Sequence, residues 1–392
     1  MRIVLASPYP VEKGQIPNGP EKVAKCLLDE FRKIGGLDLH VVTFSPSINQ
    51  DSIVREEDLT IYRLPCATRL VALTFSSRDT LRLRKKIREI KPDVVHAQTT
   101  TAYTSGALAS GYPAVITVHG IFSKDISVSS GVRRFLKSKL LALFESACIR
   151  SASDIIAISP YILKEFGGLI RGSVHNLENP VHERYYRIRN CEKPGRVLYA
   201  GRVIRRKGVL DLVRAIEKVR WQVPGVELRI AGETDSEPDC VAEINEFVGI
   251  NGLDGNVRFL GNLDEARFQH ELGSASILAL TSMQETAPAV IQQAMAVGKP
   301  VVATRVCGNP YLVEHGGTGL LVDYGDVLGI AEAVADLLAD SKKRKEMAAR
   351  AKHLAQRFRA DVIARKTLEI YEKIGKSRRF ALSASTEFEG TN

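Results

Sequence analysis

The chain has 392 residues, 44% hydrophobic and 26% charged, a composition that fits a globular protein with room for two domains. No apolar run approaches the ~20 residues of a membrane-spanning helix, and the short apolar start at Arg2-Ile3-Val4-Leu5-Ala6 reads as a first strand rather than a signal peptide, so a cytoplasmic protein is expected. The formal charge of +10 favours anionic partners, while six scattered cysteines without a C-x-x-C pair exclude a zinc or redox motif and argue for a reducing compartment.

In chain order, the first strand 2–6 is followed by a Gly/Pro loop and a helix over 21–33. Further strands are predicted at 39–44, 93–97, 114–118 and 154–158. A second series opens with the strand 196–201, a basic loop and a helix over 209–219. Its strands follow at 227–231, 257–260, 275–280 and 300–303. Strands alternating with helices predict two doubly wound α/β domains with parallel sheets. The stretch 176–194 is polar and Pro-containing. The expected domains are 1–180, a linker 181–195 and a second domain 196–360. A helix 361–375 returning to the first domain and a flexible, Ser/Arg/Glu-rich tail 376–392 follow. Ligands of such sheets bind at the carboxyl ends of strands, which predicts a cleft lined by both domains.

Residues 281–304 carry the most information. They read as strand end, loop, short helix, glycine stop and next strand. Pro288 suits the first helical turn, where a missing N–H costs nothing, and Gly298 suits a left-handed stop. Glu285 then sits just outside a helix N-terminus, beside backbone N–H groups that attract anions. A carboxylate there would accept hydrogen bonds from ligand hydroxyls while phosphates occupy the helix end, which suggests a nucleotide-sugar. The loop Gly201-Arg202-Val203-Ile204-Arg205-Arg206-Lys207-Gly208 lies between a strand end and a helix start. Arg202 can grip phosphate with its planar fork, Lys207 can add a point charge, and Gly208 permits close backbone approach. The alternative is a solvated basic loop.

These pieces together resemble the GT-B glycosyltransferases of the large retaining family 4. The resemblance covers almost the whole chain. It includes Asn18-Gly19-Pro20-Glu21, Pro92-Asp93-Val94-Val95-His96-Ala97-Gln98, Thr117-Val118-His119-Gly120, Gly201-Arg202 with Lys207-Gly208, Val257 to Gly261, Glu285 with Gln293, and Gly317-Thr318-Gly319. It implies a GT-B fold, two Rossmann-like domains facing a central cleft. The implied activity is retaining transfer of a hexose from a nucleoside-diphosphate sugar to a hydroxyl of a saccharide or lipid-linked acceptor, in polysaccharide or glycolipid biosynthesis. By the same resemblance Arg202 and Lys207 bind the donor diphosphate. Glu285 contacts donor-sugar hydroxyls, assisted by the backbone of Thr286, Ala287, Pro288, Ala289 and Val290. Gly19 and Gly261 are donor-side glycines, and His119 faces the donor sugar. His96, also at a strand end, is expected to be packed or to lie behind the site. The family's second glutamate falls at Gln293 here, whose amide can hydrogen-bond ribose but cannot act as a base.

The implied chemistry is departure of a diphosphate from an oxocarbenium-like centre. Arg202, Lys207 and the helix N-terminus would stabilise the developing charge, with no metal or cofactor beyond the nucleotide-sugar. Asp323 and Asp326 read as turn residues. Two basic segments, 78–91 and 133–144, read as amphipathic helices. The first is assigned to the core; the second follows the loop after His119 and is a candidate for peripheral contact with an anionic membrane surface. The competing functions are a GT-B sugar-nucleotide epimerase and a non-catalytic nucleotide- or glycan-binding scaffold, the latter favoured by Gln293. With 6% aromatic residues and no aromatic-interleaved basic platform, no nucleic-acid partner is expected.

Overall fold

The computed structural model describes residues 1–10, 19–66, 77–121, 124 and 132–389; for 132–134, 137 and 377–389 it describes the backbone alone. The chain forms two units, Met1–Pro180 together with the helix that begins at Ala360, and Val181–Arg359.

In the first unit, β1 (Arg2–Ala6) is apolar throughout its buried part, with Ile3, Val4, Leu5 and Ala6 at most 1% exposed. A continuous apolar run suits a parallel strand covered on both faces. Around it β2 (Asp38–Ser45), β3 (Ser52–Glu56), β4 (Leu59–Pro65), β5 (Val94–Gln98), β6 (Ala114–Val118), β7 (Asp154–Ala157) and β8 (Ser173–Asn176) build one sheet. Its order is β3-β4-β2-β1-β5-β6-β7-β8. One edge departs from the all-parallel expectation: β3 pairs antiparallel with β4. Only Glu57 and Asp58 separate the paired residues Glu56 and Leu59, and a two-residue link can close a hairpin but not a parallel crossover.

The C-terminal helix Ala360–Glu389 belongs to this unit. Ile363, Ala364, Ile370, Tyr371 and Ile374 bury against Leu27, Leu28 and Phe31 of the helix Gly19–Ile34. The backbone of 376–389, expected as a flexible tail, continues that helix. The helix Ser77–Ile90 turns Leu83, Ile87 and Ile90 into the core, in agreement with its structural assignment.

In the second unit, β9 (Arg196–Ala200), β10 (Glu227–Ala231), β11 (Val257–Gly261), β12 (Ile277–Leu280), β13 (Val301–Thr304) and β14 (Gly319–Val322) form a sheet in the order β11-β10-β9-β12-β13-β14. Every pairing is parallel. Connections leave β9 in one direction to β10 and cross back to β12 on its other side. The strand order therefore reverses between β9 and β12, and a crevice opens there at the carboxyl ends. Residues 181–195, expected as a linker, pack into this unit instead. Val181 and Tyr185 join its core, and the Val181 N–H donates to the Phe358 carbonyl at 2.7 Å. Their apolar side chains were hidden in a segment dominated by charge.

Candidate functional site

Two loops meet at the reversal point between β9 and β12. The loop 201–208 leaves β9, and the loop 281–288 leaves β12. They are joined by hydrogen bonds: the Thr281 hydroxyl donates to the Gly208 carbonyl at 2.8 Å, and the Met283 N–H to the Arg206 carbonyl at 2.8 Å. Arg206 Nη1 donates to the Gln284 carbonyl at 3.2 Å. Gly208 permits this approach. It has φ +63°, and a Cβ there would stand 3.0 Å from the Thr281 carbonyl carbon, with the oxygen nearer still. Across the join, Lys207 Nζ pairs with Glu285 Oε1; the two side chains are only 15% and 11% exposed.

The short helix after the second loop is Ala289–Val297. Pro288 is its N-cap, one residue earlier than the sequence suggested, and supplies no capping side chain. Ala289 and Val290 therefore present backbone N–H groups with no acceptor among the described residues. Pro288 itself has no N–H and contributes only shape. The helix ends at Gly298 in the left-handed conformation, φ 82°. Gln293 lies one turn beyond Ala289 on the same face and is partly exposed. Glu285, Thr286, Ala287 and the helix start are thus consecutive along one edge, with Lys207 held against them and Arg202 exposed at the beginning of the facing loop.

Three features of this arrangement were not read from the sequence. Tyr199, fully buried beneath the first loop, donates its hydroxyl to the Arg202 carbonyl at 2.9 Å. Burial first, then the Glu285 carboxylate, pushes this phenol well above its usual range, against the opposing pull of Arg206 and Arg202. Gly308 donates its N–H to the Glu285 carbonyl at 2.8 Å, and its Cα lies against the Thr286 peptide. Glu243 pairs with Arg205 of the same loop, accepting from Nη1 at 2.6 Å. A buried tyrosine in a strand needs a partner for its hydroxyl, which was the one available signal; the others depend on tertiary approach.

Gly261 ends β11 with φ +63°, and its carbonyl accepts the Gly232 N–H at 2.8 Å, two strands from β9 on the same edge. Glu233, after β10, is held below the usual carboxylate range by the Ser236 hydroxyl at 2.6 Å, with Arg202 adding a smaller pull. Asp326 caps the helix Val327–Ala339 by accepting from Gly329 N–H at 2.9 Å, which fits its reading as a turn residue.

His119 belongs to the first unit, directly after β6. Its Nε2 is hydrogen-bonded to Gln98 Oε1 at the end of β5. Burial pulls its pKa down to about 4, so the ring is neutral at physiological pH. His96 is buried behind it and bonded to Thr117 Oγ1 at 2.6 Å and Tyr371 Oη at 2.5 Å. Gly19 opens the helix Gly19–Ile34, and a Cβ there would meet nothing within 4 Å. Asn18 and the rest of the loop 11–18 lie outside the described residues, as does most of the loop after His119. The second basic segment lies in the helix Val132–Ser151, where Phe135, Leu136 and Leu143 are exposed and Lys139 Nζ lies 4.6 Å from the Phe135 ring centre. The side chains of Arg133, Arg134 and Lys137 lie outside the described set.

Comparison with known proteins matches residues 17–183 to the family Glycosyltransferase Family 4 and residues 187–354 to Glycosyl transferases group 1. A glycogen synthase of Mycobacterium tuberculosis is 30% identical over 311 residues, 75% of this chain and 72% of that protein. A phosphatidyl-myo-inositol mannosyltransferase of Mycolicibacterium smegmatis is 26% identical over 95% of this chain and 94% of its own length. Among solved structures, a sucrose-phosphate synthase from Thermosynechococcus elongatus superposes with a TM-score of 0.80 at 20% identity, covering 96% of this chain and 99% of that one. Anabaena HepE in complex with UDP and glucose superposes with a TM-score of 0.71 at 22% identity, covering 95% and 100%. The motifs, the two largely parallel sheets and these matches agree: the chain belongs to glycosyltransferase family 4 and has the GT-B fold.

Proposed function

We propose that the chain moves a hexose, with retention of configuration, from a nucleoside-diphosphate sugar to a hydroxyl of a saccharide or lipid-linked acceptor. The observation that carries this reading is the joined pair of loops at the β9/β12 reversal, where Lys207, Glu285 and the uncapped N-terminus of Ala289–Val297 share one edge. Phosphate oxygens at that edge gain the N–H groups of Ala289 and Val290 and the cations Lys207 and Arg202. As the glycosidic bond to the diphosphate lengthens, negative charge grows on the leaving oxygens, and these groups are already in place to meet it. Glu285 keeps Lys207 oriented in the free protein and offers its second oxygen to sugar hydroxyls. Gln293, half a helix further on, hydrogen-bonds ribose. The departing phosphate takes the acceptor proton, so no protein nucleophile or metal is assigned. His119, neutral, serves the sugar as a hydrogen-bonding partner.

Support for a nucleotide-sugar also comes from HepE, which is solved with UDP and glucose. The exposed Phe135, Leu136 and Leu143 beside Lys139 support a lipid-linked acceptor met at an anionic membrane surface. A thermal-shift screen over UDP-, GDP- and ADP-sugars tests the donor; stabilisation by none of them ends this reading. Donor consumption measured with and without acceptor then separates transfer from epimerisation, which needs no acceptor. It also separates both from the scaffold that Gln293 keeps in view, which binds without turnover.

A further inference from the structure

Behind His119 runs a buried chain of polar groups that the proposed reaction does not itself use. His119 Nε2 meets Gln98 Oε1; Gln98 Nε2 meets His96 Nε2 at 3.2 Å; His96 Nδ1 meets Tyr371 Oη at 2.5 Å. Gln98 and Tyr371 are fully buried and His96 is 1% exposed. The link reaches from the strand β5 to the C-terminal helix, 275 residues further along the chain.

The donor and acceptor roles along this chain are coupled. An amide oxygen only accepts and an amide NH₂ only donates, whereas a neutral imidazole has one nitrogen of each kind. Gln98 Oε1 facing His119 requires the proton of that ring to sit on Nε2. Gln98 Nε2 facing His96 requires Nε2 of His96 to accept. The Thr117 hydroxyl, at 2.6 Å, then donates to the same nitrogen. His96 must carry its proton on Nδ1 and donate it to Tyr371. Burial keeps both rings neutral, His119 at about 4 and His96 at about 3, so the tautomer is the only variable left. Among the described residues, Nδ1 of His119 has no hydrogen-bond partner. The residue following Gln98 is also unusual: Thr99, β-branched, is held at φ +86°, with its N–H donating to the Thr117 carbonyl at 3.0 Å and its carbonyl accepting from Thr104 Oγ1 at 2.5 Å. A strained residue pinned on both sides fixes the end of β5, and with it the Gln98 side chain.

We propose that Gln98 is a positioning residue which, backed by His96 and Tyr371, locks His119 as the Nε2–H tautomer so that Nδ1 presents a lone pair to a hydroxyl of the bound sugar. The last clause rests on the reading of His119 as a sugar-contacting residue. The tautomer itself is a property of the free protein.

Two-bond ¹H–¹⁵N correlation NMR on the whole chain labelled at histidine reads it directly, with His119→Gln identifying the signal. Wild type is expected to show His119 as a single species protonated on Nε2. Gln98→Leu is expected to give a mixture of tautomers. Tyr371→Phe, which removes the acceptor of His96 Nδ1–H, is expected to let His96 and then Gln98 reverse, shifting His119 toward Nδ1–H. A wild-type His119 protonated on Nδ1 overturns the proposal without any variant having to fold. So does a Gln98→Leu protein, folded by circular dichroism, whose His119 keeps one tautomer. His119→Ala with unimpaired donor turnover would instead end the functional reading of His119 and leave the tautomer result intact.

Discussion

Gly308→Ala isolates what holds the Glu285 loop in place. Gly308 has φ −87° and ψ −14°, a conformation open to any residue, so backbone strain predicts no effect. The space around it predicts otherwise. A Cβ at this position would lie 2.6 Å from the Thr286 carbonyl carbon and 3.1 Å from the Glu285 oxygen, with the Thr286 oxygen nearer still. Ordinary carbon contacts are about 3.5–4.0 Å, so the Thr286 carbonyl must retreat by roughly 1 Å. Overpacking of this kind costs about 1–3 kcal/mol, which corresponds to several degrees of melting temperature in a domain of ordinary size. The retreat also strains the Gly308 N–H bond to Glu285 and carries the Glu285 carboxylate away from Lys207. Misplacement of a positioning group by ~1 Å is worth about 100-fold in turnover. Thermal unfolding and calorimetric titration with UDP, alongside turnover of the sugar nucleotide selected by the thermal-shift screen, measure both effects. Gly255→Ala is the control, because a Cβ there meets nothing within 4 Å. If Gly308→Ala unfolds, binds and turns over like Gly255→Ala, the steric argument for the loop is wrong.

Lys207→Ala should lower turnover by about 100-fold or more, as expected on losing a preorganised cation; near wild-type kinetics would remove Lys207 from the donor site. Gln293→Ala should raise the donor KM with little change in kcat, and a large fall in kcat at unchanged KM would contradict a ribose-binding role. His119→Gln should flatten the acid side of the stability profile. His119 titrates at about 4 in the folded chain and near 6.5 unfolded, so its contribution is complete above about pH 6.5 and is lost as pH falls toward 4. The slope in that window is about 1.4 kcal/mol per pH unit, and unfolding curves at pH 7 and pH 5 that shift equally in wild type and variant would refute it. Phe135→Ser with Leu136→Ser should reduce flotation on anionic liposomes at low salt, and a wild-type protein that does not float at all would exclude the membrane contact.

Much of the β9 and β12 edge was legible because its signals are local. A strand, a glycine-bounded basic loop and a Pro288-to-Gly298 helix each follow from residues close in sequence. The strands β3, β4, β8 and β14 were missed for a different reason. They are four to seven residues long and half-exposed or at sheet edges, so none carries a long apolar run or a clear period-2 pattern. The segment 181–195 was misread because its charge outweighs Val181 and Tyr185, whose burial is decided by partners such as Phe358 far along the chain. Gly308 was invisible for the same reason, since what makes it matter is the close approach of its backbone to the Glu285 loop. His96 is packed, as its sequence reading expected, but its bond to Tyr371 could not have been found by any pattern along the chain.

The return of the C-terminal helix has a bearing on how the protein is made. Translation delivers β1 through β8 first, then all of 181–359, and only then Tyr371. At ribosomal speeds of ~5–20 residues per second, the first unit therefore waits roughly 10–40 s for its last helix. During that interval Leu27, Leu28 and Phe31 lack their cover and His96 lacks its phenol. The nascent first unit is thus an unfinished body that exposes apolar surface until that helix has been made. A stop codon shortly before 360 would leave it in that state permanently, even with every residue of the proposed donor edge in the second unit already synthesised.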